Sequence, residues 1–102
     1  MPLLDDQLRA RLPPLHSQEA EIEPRVYAKF HLPGTSRAWY VIEGQLEGQD
    51  FLFFGFMAGP NTFGQFRLSE LERFRGLFDS RVERDQVFTE GRLTDVVPAP
   101  DS

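Results

Sequence analysis

The chain has 102 residues, sixteen acids against eleven bases, a formal charge of −5 and no cysteine. That is the ordinary size of one domain, and a hydrophobic content of 40% with thirteen aromatics can fill a core. The missing cysteines exclude a disulfide scaffold, thiol catalysis and cysteine-bound zinc or iron–sulfur sites, and the excess of acid argues against nonspecific nucleic-acid binding, which draws its affinity from phosphate neutralisation.

The start, Met1-Pro2-Leu3-Leu4-Asp5-Asp6, is acidic at once and lacks the basic and apolar regions of a secretory leader. No apolar run approaches the roughly 18 residues of a membrane span. The expected location is the cytoplasm. Asp5 or Asp6 is placed to cap a first helix, and Leu4, Leu8 and Leu12 then share one helical face up to Pro13-Pro14. His16 to Pro24 reads as an acidic connector.

From Val26 to His31 the residues alternate, with Val26, Ala28 and Phe30 on one face and Tyr27, Lys29 and His31 on the other. After the turn residues Leu32-Pro33-Gly34-Thr35-Ser36 comes a second strand, Ala38 to Gln45. Leu46 to Asp50 suits a hairpin loop in which glycine supplies a positive φ. The third strand, Phe51 to Met57, is apolar on both faces, the pattern of a central strand covered on two sides. A fourth strand spans Phe63 to Leu68. Ser69 and Glu72 have the spacing of a helix capping box, Leu71 and Phe74 give that helix an apolar stripe, and Gly76 is its expected left-handed stop. Val82 to Phe88 reads as a fifth strand or an extended segment along the sheet, and residues 98–102 as a disordered tail behind a single domain of residues 1–97. The fold class is therefore α+β: a four- to five-stranded antiparallel meander with an N-terminal helix and a short helix after the fourth strand.

Three blocks carry a resemblance: Ala38-Trp39-Tyr40-Val41-Ile42-Glu43; Phe54-Gly55-Phe56 through Gly64 to Leu68-Ser69-Glu70-Leu71-Glu72; and Val82-Glu83-Arg84-Asp85. With the N-terminal Leu-Arg-Ala-Arg-Leu they resemble the bacterial domain-of-unknown-function family 2958 over roughly residues 8–88. The resemblance implies a small protein carried on plasmids, phages and integrative elements, and brings no activity with it. Family members carry an acidic Asp-Leu-Gly…Pro-Glu-Leu-Gly stretch where this chain reads Met57-Ala58-Gly59-Pro60-Asn61-Thr62-Phe63-Gly64, so those acids have no counterpart here.

Glu43, Asp50, Glu83 and Asp85 are the acids nearest the strands, and paired carboxylates are the raw material of acid–base chemistry. Their spacing shows no pocket, and structural pairing is the favoured reading of Glu83-Arg84-Asp85. His16 and His31 have no second ligand at zinc spacing, and the glycines form no phosphate loop, so neither a metal nor a cofactor is expected. Tyr27, Trp39, Tyr40, Phe51 and Phe53 have the chemistry of a base-stacking platform, but core packing suits them better with only Lys29, Arg37 and Arg67 near.

The leading expectation is a non-enzymatic protein-binding module that uses an uncovered apolar sheet face or the acidic surface. Its partner-facing residues would come from Tyr27, His31, Tyr40, Glu43, Asp50, Arg67, Glu83, Arg84 and Asp85. A homodimer through the same face is a second form of that reading. In the mobile-element context the partner would be a host defence nuclease, inhibited in the manner of anti-restriction or anti-CRISPR proteins. The alternatives are a nucleic-acid-associated accessory protein and a small enzyme using Glu43 or Asp85.

Overall fold

The computed structural model describes residues 3–18 and 20–97, so the expected tail at 98–102 lies outside the described residues. The elements run α1 (Asp6–Arg11), β1 (Arg25–Val26), β2 (Ala28–His31), β3 (Ala38–Glu47), β4 (Asp50–Ala58), β5 (Thr62–Arg67), α2 (Leu68–Arg73), a 3₁₀ turn (Leu77–Asp79), β6 (Glu83–Arg84), β7 (Gly91–Arg92) and α3 (Leu93–Val96). The main sheet is antiparallel throughout, with spatial order β5-β4-β3-β2-β6. Strands β2 to β5 form a meander, and β6 returns to the far edge beside β2. The fold is α+β, with the N-terminal helix and the helix after the 62–67 strand where the sequence puts them.

Helix α1 starts as expected: the Asp5 carboxylate accepts the Leu8 N–H at 2.8 Å. Leu8 and Leu12 are buried against the first sheet face, where Ala28, Phe30, Trp39, Val41, Phe51, Phe53 and Phe66 also pack, together with Leu71 of α2. Phe30 and Phe53 are fully buried and meet edge to face at 5.5 Å. Each contributes roughly 1.5–3 kcal/mol by leaving water. The second face is also covered. Val26, Ala38, Tyr40 and Ile42 form its core, and Phe88, Leu93, Val96 and Val97 of the C-terminal segment pack over them. The two apolar faces of β4 thus have two separate covers, the helices on one side and the chain's end on the other.

Several expectations are corrected in detail. The strand expected from Val26 to His31 breaks at Tyr27: β1 leaves the main sheet to pair with β7, and only β2 stays beside β3. The break flips the facing. Val26 belongs to the second-face core, while Tyr27, Ala28 and Phe30 all pack on the first. Helix α2 begins at Leu68, so Ser69 is already inside it and no Ser69–Glu72 box forms. Glu70 instead accepts the Arg67 N–H at 3.0 Å, and Asp50, across the sheet, accepts the Ser69 N–H at 3.2 Å. Gly76 has φ −97°, so it is no left-handed stop; the helix ends at Phe74. The long fifth strand shrinks to Glu83–Arg84: Asp85 N–H still donates to the Lys29 carbonyl at 2.9 Å, but its carboxylate accepts the Val87 N–H at 3.0 Å and the ladder goes no further.

Gly55 marks the tightest approach between strands. A Cβ there would sit 1.9 Å from the Tyr40 carbonyl oxygen, a backbone atom that cannot swing aside. Gly55→Ala is therefore expected to destabilise the fold by more than about 3 kcal/mol, as main-chain overpacking does at its worst. A urea melt with a midpoint near wild type would refute that reading.

Candidate binding groove

The groove is built by a one-residue irregularity in β3. Pairing with β4 runs Val41↔Gly55, then Glu43↔Phe54, leaving Ile42 unmatched. Such a bulge re-aims the residues after it. Without it Glu43 would follow Trp39 and Val41 into the first face; with it Glu43 stands beside Phe54 on the second. There it is 2% exposed.

A carboxylate so buried needs donors. They come from the loop after α1: His16 N–H donates to Oε1 at 2.8 Å and Gln18 N–H to Oε2 at 2.6 Å. His16 takes φ 72°, the left-handed region, which lets the two N–H groups converge as in a backbone anion nest. The loop is fastened along β3 on either side of this contact. Gly44 N–H donates to the Pro13 carbonyl at 3.0 Å, and Leu15 N–H to the Gln45 side chain at 3.2 Å. Where β1 departs, the Gln18 amide replaces the missing ladder: its Nε2 reaches the Ile42 and Arg25 carbonyls at 3.0 and 3.1 Å, and its Oε1 accepts the Arg25 N–H at 2.9 Å.

The result is a cleft of about 380 Å³, with Ile42 and Phe54 as floor, the Gln18–Pro24 loop as one wall, Phe63 of β5 as the other, and Leu93 at one end. A neighbouring hollow of about 220 Å³ shares Phe54 and continues past Glu43, His16 and Gln65. Phe63 stacks on Phe54 with centroids 6.1 Å apart, yet stays 49% exposed; Ile22 on the opposite wall is 94% exposed. Glu21 lines the larger hollow and the buried Glu43 the smaller, and among the described residues no lysine or arginine lines either. β5 is a sheet edge: its outer side faces no other strand among the described residues.

The nine residues singled out from sequence fall in four places. Tyr27, Arg84 and Asp85 do meet, in a polar cleft of about 260 Å³ that also includes Asp5, Gln7 and Gln86. Arg84 Nη1 is buried 3.0 Å from Asp5 Oδ2, an ion pair whose angle is off the hydrogen-bond line. Asp85 lies 3.8 Å from Lys29. The favoured structural pairing of Arg84 is therefore what the fold contains. His31 and Glu83 are register partners on β2 and β6, away from both clefts. Asp50 and Arg67 sit at the foot of β4 and β5, Asp50 holding Ser69 and Arg67 pairing with Glu47 at 2.8 Å. Tyr40 is 2% exposed beneath Phe88, and with Glu43 it offers no surface to a partner. Trp39, Phe51 and Phe53 are likewise buried, so they make no stacking platform. Among the described residues no group of three His, Cys, Asp or Glu is placed to hold a metal. Among the described residues no helix is long and apolar enough to cross a membrane.

The groove's own residues escaped the sequence reading. Phe63 and Phe54 were legible as strand positions, but Gln18, Glu21 and Ile22 sit in a stretch with no periodicity. Their one signal is Ile22 itself, a large apolar residue isolated between two glutamates.

A family model described as "Protein of unknown function (DUF2958)" matches residues 3–97. No curated protein and no solved structure matches the chain.

Two outcomes follow from these contacts. Glu43→Ala removes the shared acceptor of two part-buried N–H groups and should cost roughly 1–3 kcal/mol in a denaturant melt; a loss below about 0.5 kcal/mol, the level of a surface change, would contradict the anchoring role. Asp50 is held below the usual carboxylate range first by the Ser69 hydroxyl, then by the Phe51 N–H. A depressed carboxyl stabilises the fold fully above its ordinary pKa near 4 and loses that effect as pH falls through the depressed value. The gap in urea midpoint between wild type and Asp50→Asn should thus narrow from pH 7 to pH 3, and a gap constant with pH would count against it.

Proposed function

The chain belongs to the DUF2958 family, and we propose that it is a non-enzymatic protein-binding module whose receptor surface is the groove between the Gln18–Pro24 loop and β5. The observation that carries this reading is the coincidence of three features at one place: an apolar floor, the carboxylate of Glu21 on the wall, and a strand edge that is unpaired among the described residues. A sheet edge supplies main-chain hydrogen bonds to an extended segment, and the pocket beside it selects a side chain. Phe63 and Ile22 provide exposed apolar area of the kind that marks interaction sites. Glu21 and the net charge of −5 favour a basic segment with an apolar anchor.

In its finer form the proposal places that segment on a nucleic-acid-binding host protein, a defence nuclease being the type, with the chain acting as an inhibitor carried by a mobile element. Its support is charge: proteins that bind phosphate backbones expose lysine- and arginine-rich surfaces. Adding the chain in excess to purified restriction and CRISPR nucleases should then slow cleavage, and unchanged rates would remove this finer form alone.

The broader reading is tested with a random peptide library displayed on phage and selected on the immobilised chain. Enriched sequences should place Phe, Leu or Ile among Lys and Arg. Their capture should drop at least tenfold for Phe63→Asp or Ile22→Asp, each verified as folded by circular dichroism. No enrichment, or enrichment indifferent to both substitutions, would overturn the proposal.

A further inference from the structure

One other place on the molecule has the features that the groove selects for. Between α2 and β6 the chain forms a narrow loop closed at its base by a bridge between Arg75 and Arg81. Gly76 N–H donates to the Ser80 carbonyl at 2.8 Å and Ser80 N–H to the Leu77 carbonyl at 3.2 Å. Arg75 locks the loop to the helix end through the Glu72 and Phe74 carbonyls, at 2.8 and 2.9 Å, and lies 3.4 Å from Asp79. At its tip Phe78 and Asp79 both take left-handed φ, 58° and 59°. For a bulky residue such as Phe that conformation is a rare and costly one, kept only where the surroundings impose it. The braced backbone holds Phe78 fully exposed and Leu77 83% exposed. Arg75 and Arg81 stand at the base of the loop, Arg75 paired with Asp79.

We propose that this tip is the ligand of the groove on a second copy of the chain, so that the protein associates with itself head to tail. The inference rests on the groove reading above and names its partner. Charge and polarity are complementary: the apolar pair, with Arg81 at the base of its loop, faces an apolar floor with Glu21 on its wall. Aromatic and arginine side chains are the usual anchors of such contacts. The groove of about 380 Å³ has room for one large side chain lying along its floor. Tip and groove are different surfaces, so the contact is heterologous: it either closes into a ring or propagates.

The experiment is sedimentation velocity on the full chain over a range of concentrations. The wild type should show a mass rising with concentration above the 11.8 kDa of the monomer, and the rise should weaken with salt. Phe78→Asp removes the tip and Ile22→Asp the groove wall, both at positions whose exposure leaves folding intact. Each variant alone should remain a monomer. Mixed in equal amounts they should recover a species of twice the monomer mass, because each retains the surface the other lacks. Arg81→Glu should abolish association and the Arg81→Glu, Glu21→Arg double variant should restore it. A monomeric wild type, association that survives Phe78→Asp, or a mixture that stays monomeric would overturn the proposal. If the groove still selects basic apolar peptides in that event, only the identity of its partner falls; if it selects none, the groove reading falls with it.

Discussion

A carboxylate taken out of water has to be met by donors, and in this fold the meeting decides where everything else goes. Glu43 is turned to the second sheet face by the Ile42 bulge and is met by backbone N–H groups of His16 and Gln18, 27 and 25 residues earlier. That requirement pulls the loop after α1 across the end of β2. It stops β2 at Ala28, frees β1 to leave the sheet, and sets the Gln18 side chain where a strand's ladder would have been. The groove is a by-product of the same event, since the loop that serves Glu43 is also its wall.

The second face is then closed by the chain's end. Glu90 receives Arg11 from α1 and Arg25 from β1, the latter at 3.1 Å, and its carboxyl is held below the usual range chiefly by Arg11. Leu93 N–H reaches the Pro24 carbonyl at 2.9 Å, and Thr94 Oγ1 donates to Glu23 at 2.7 Å. These contacts bring Phe88, Leu93 and Val96 onto Tyr40 and Ile42. A strand apolar on both faces is thus covered within one chain, except along Phe54 and Phe63, where the cover stops short.

The main sheet was legible because alternation and turns are local. Phe51 to Met57 announced a central strand, and Leu4, Leu8 and Leu12 announced the first helix's buried face. What was not legible depends on parity and on distance. One extra residue at Ile42 exchanges the facing of all that follows it, and nothing in Val41-Ile42-Glu43 marks the slip. The same holds at Tyr27, where unbroken alternation in sequence conceals a change of sheet. The cap of α2 comes from Asp50, nineteen residues away, so no local motif reveals it. Among the charged residues chosen for lying near strands, Asp50, Arg67, Arg84 and Asp85 are engaged by other parts of the chain, Ser69, Glu47, Asp5 and Lys29. The groove depends on an acidic connector whose residues look like solvent-facing loop until Glu43 gives them a reason to dock.

The pairing of β1 with β7 joins residues that are 65 and more apart, as does the Glu90 clamp beside it. The hairpins of β2 to β5 close over a few residues each. Loop-closure entropy grows with separation, so the meander is positioned to form early and the second-face cover late. A layer made last from few contacts is also the one that opens first in the native state. Slow hydrogen exchange should then be confined to β3 and β4, while the amides of β1, β7 and α3 exchange together as one unit. On this reasoning the molecule is a stable sheet with a detachable cover, and Leu93 of that cover closes one end of the groove.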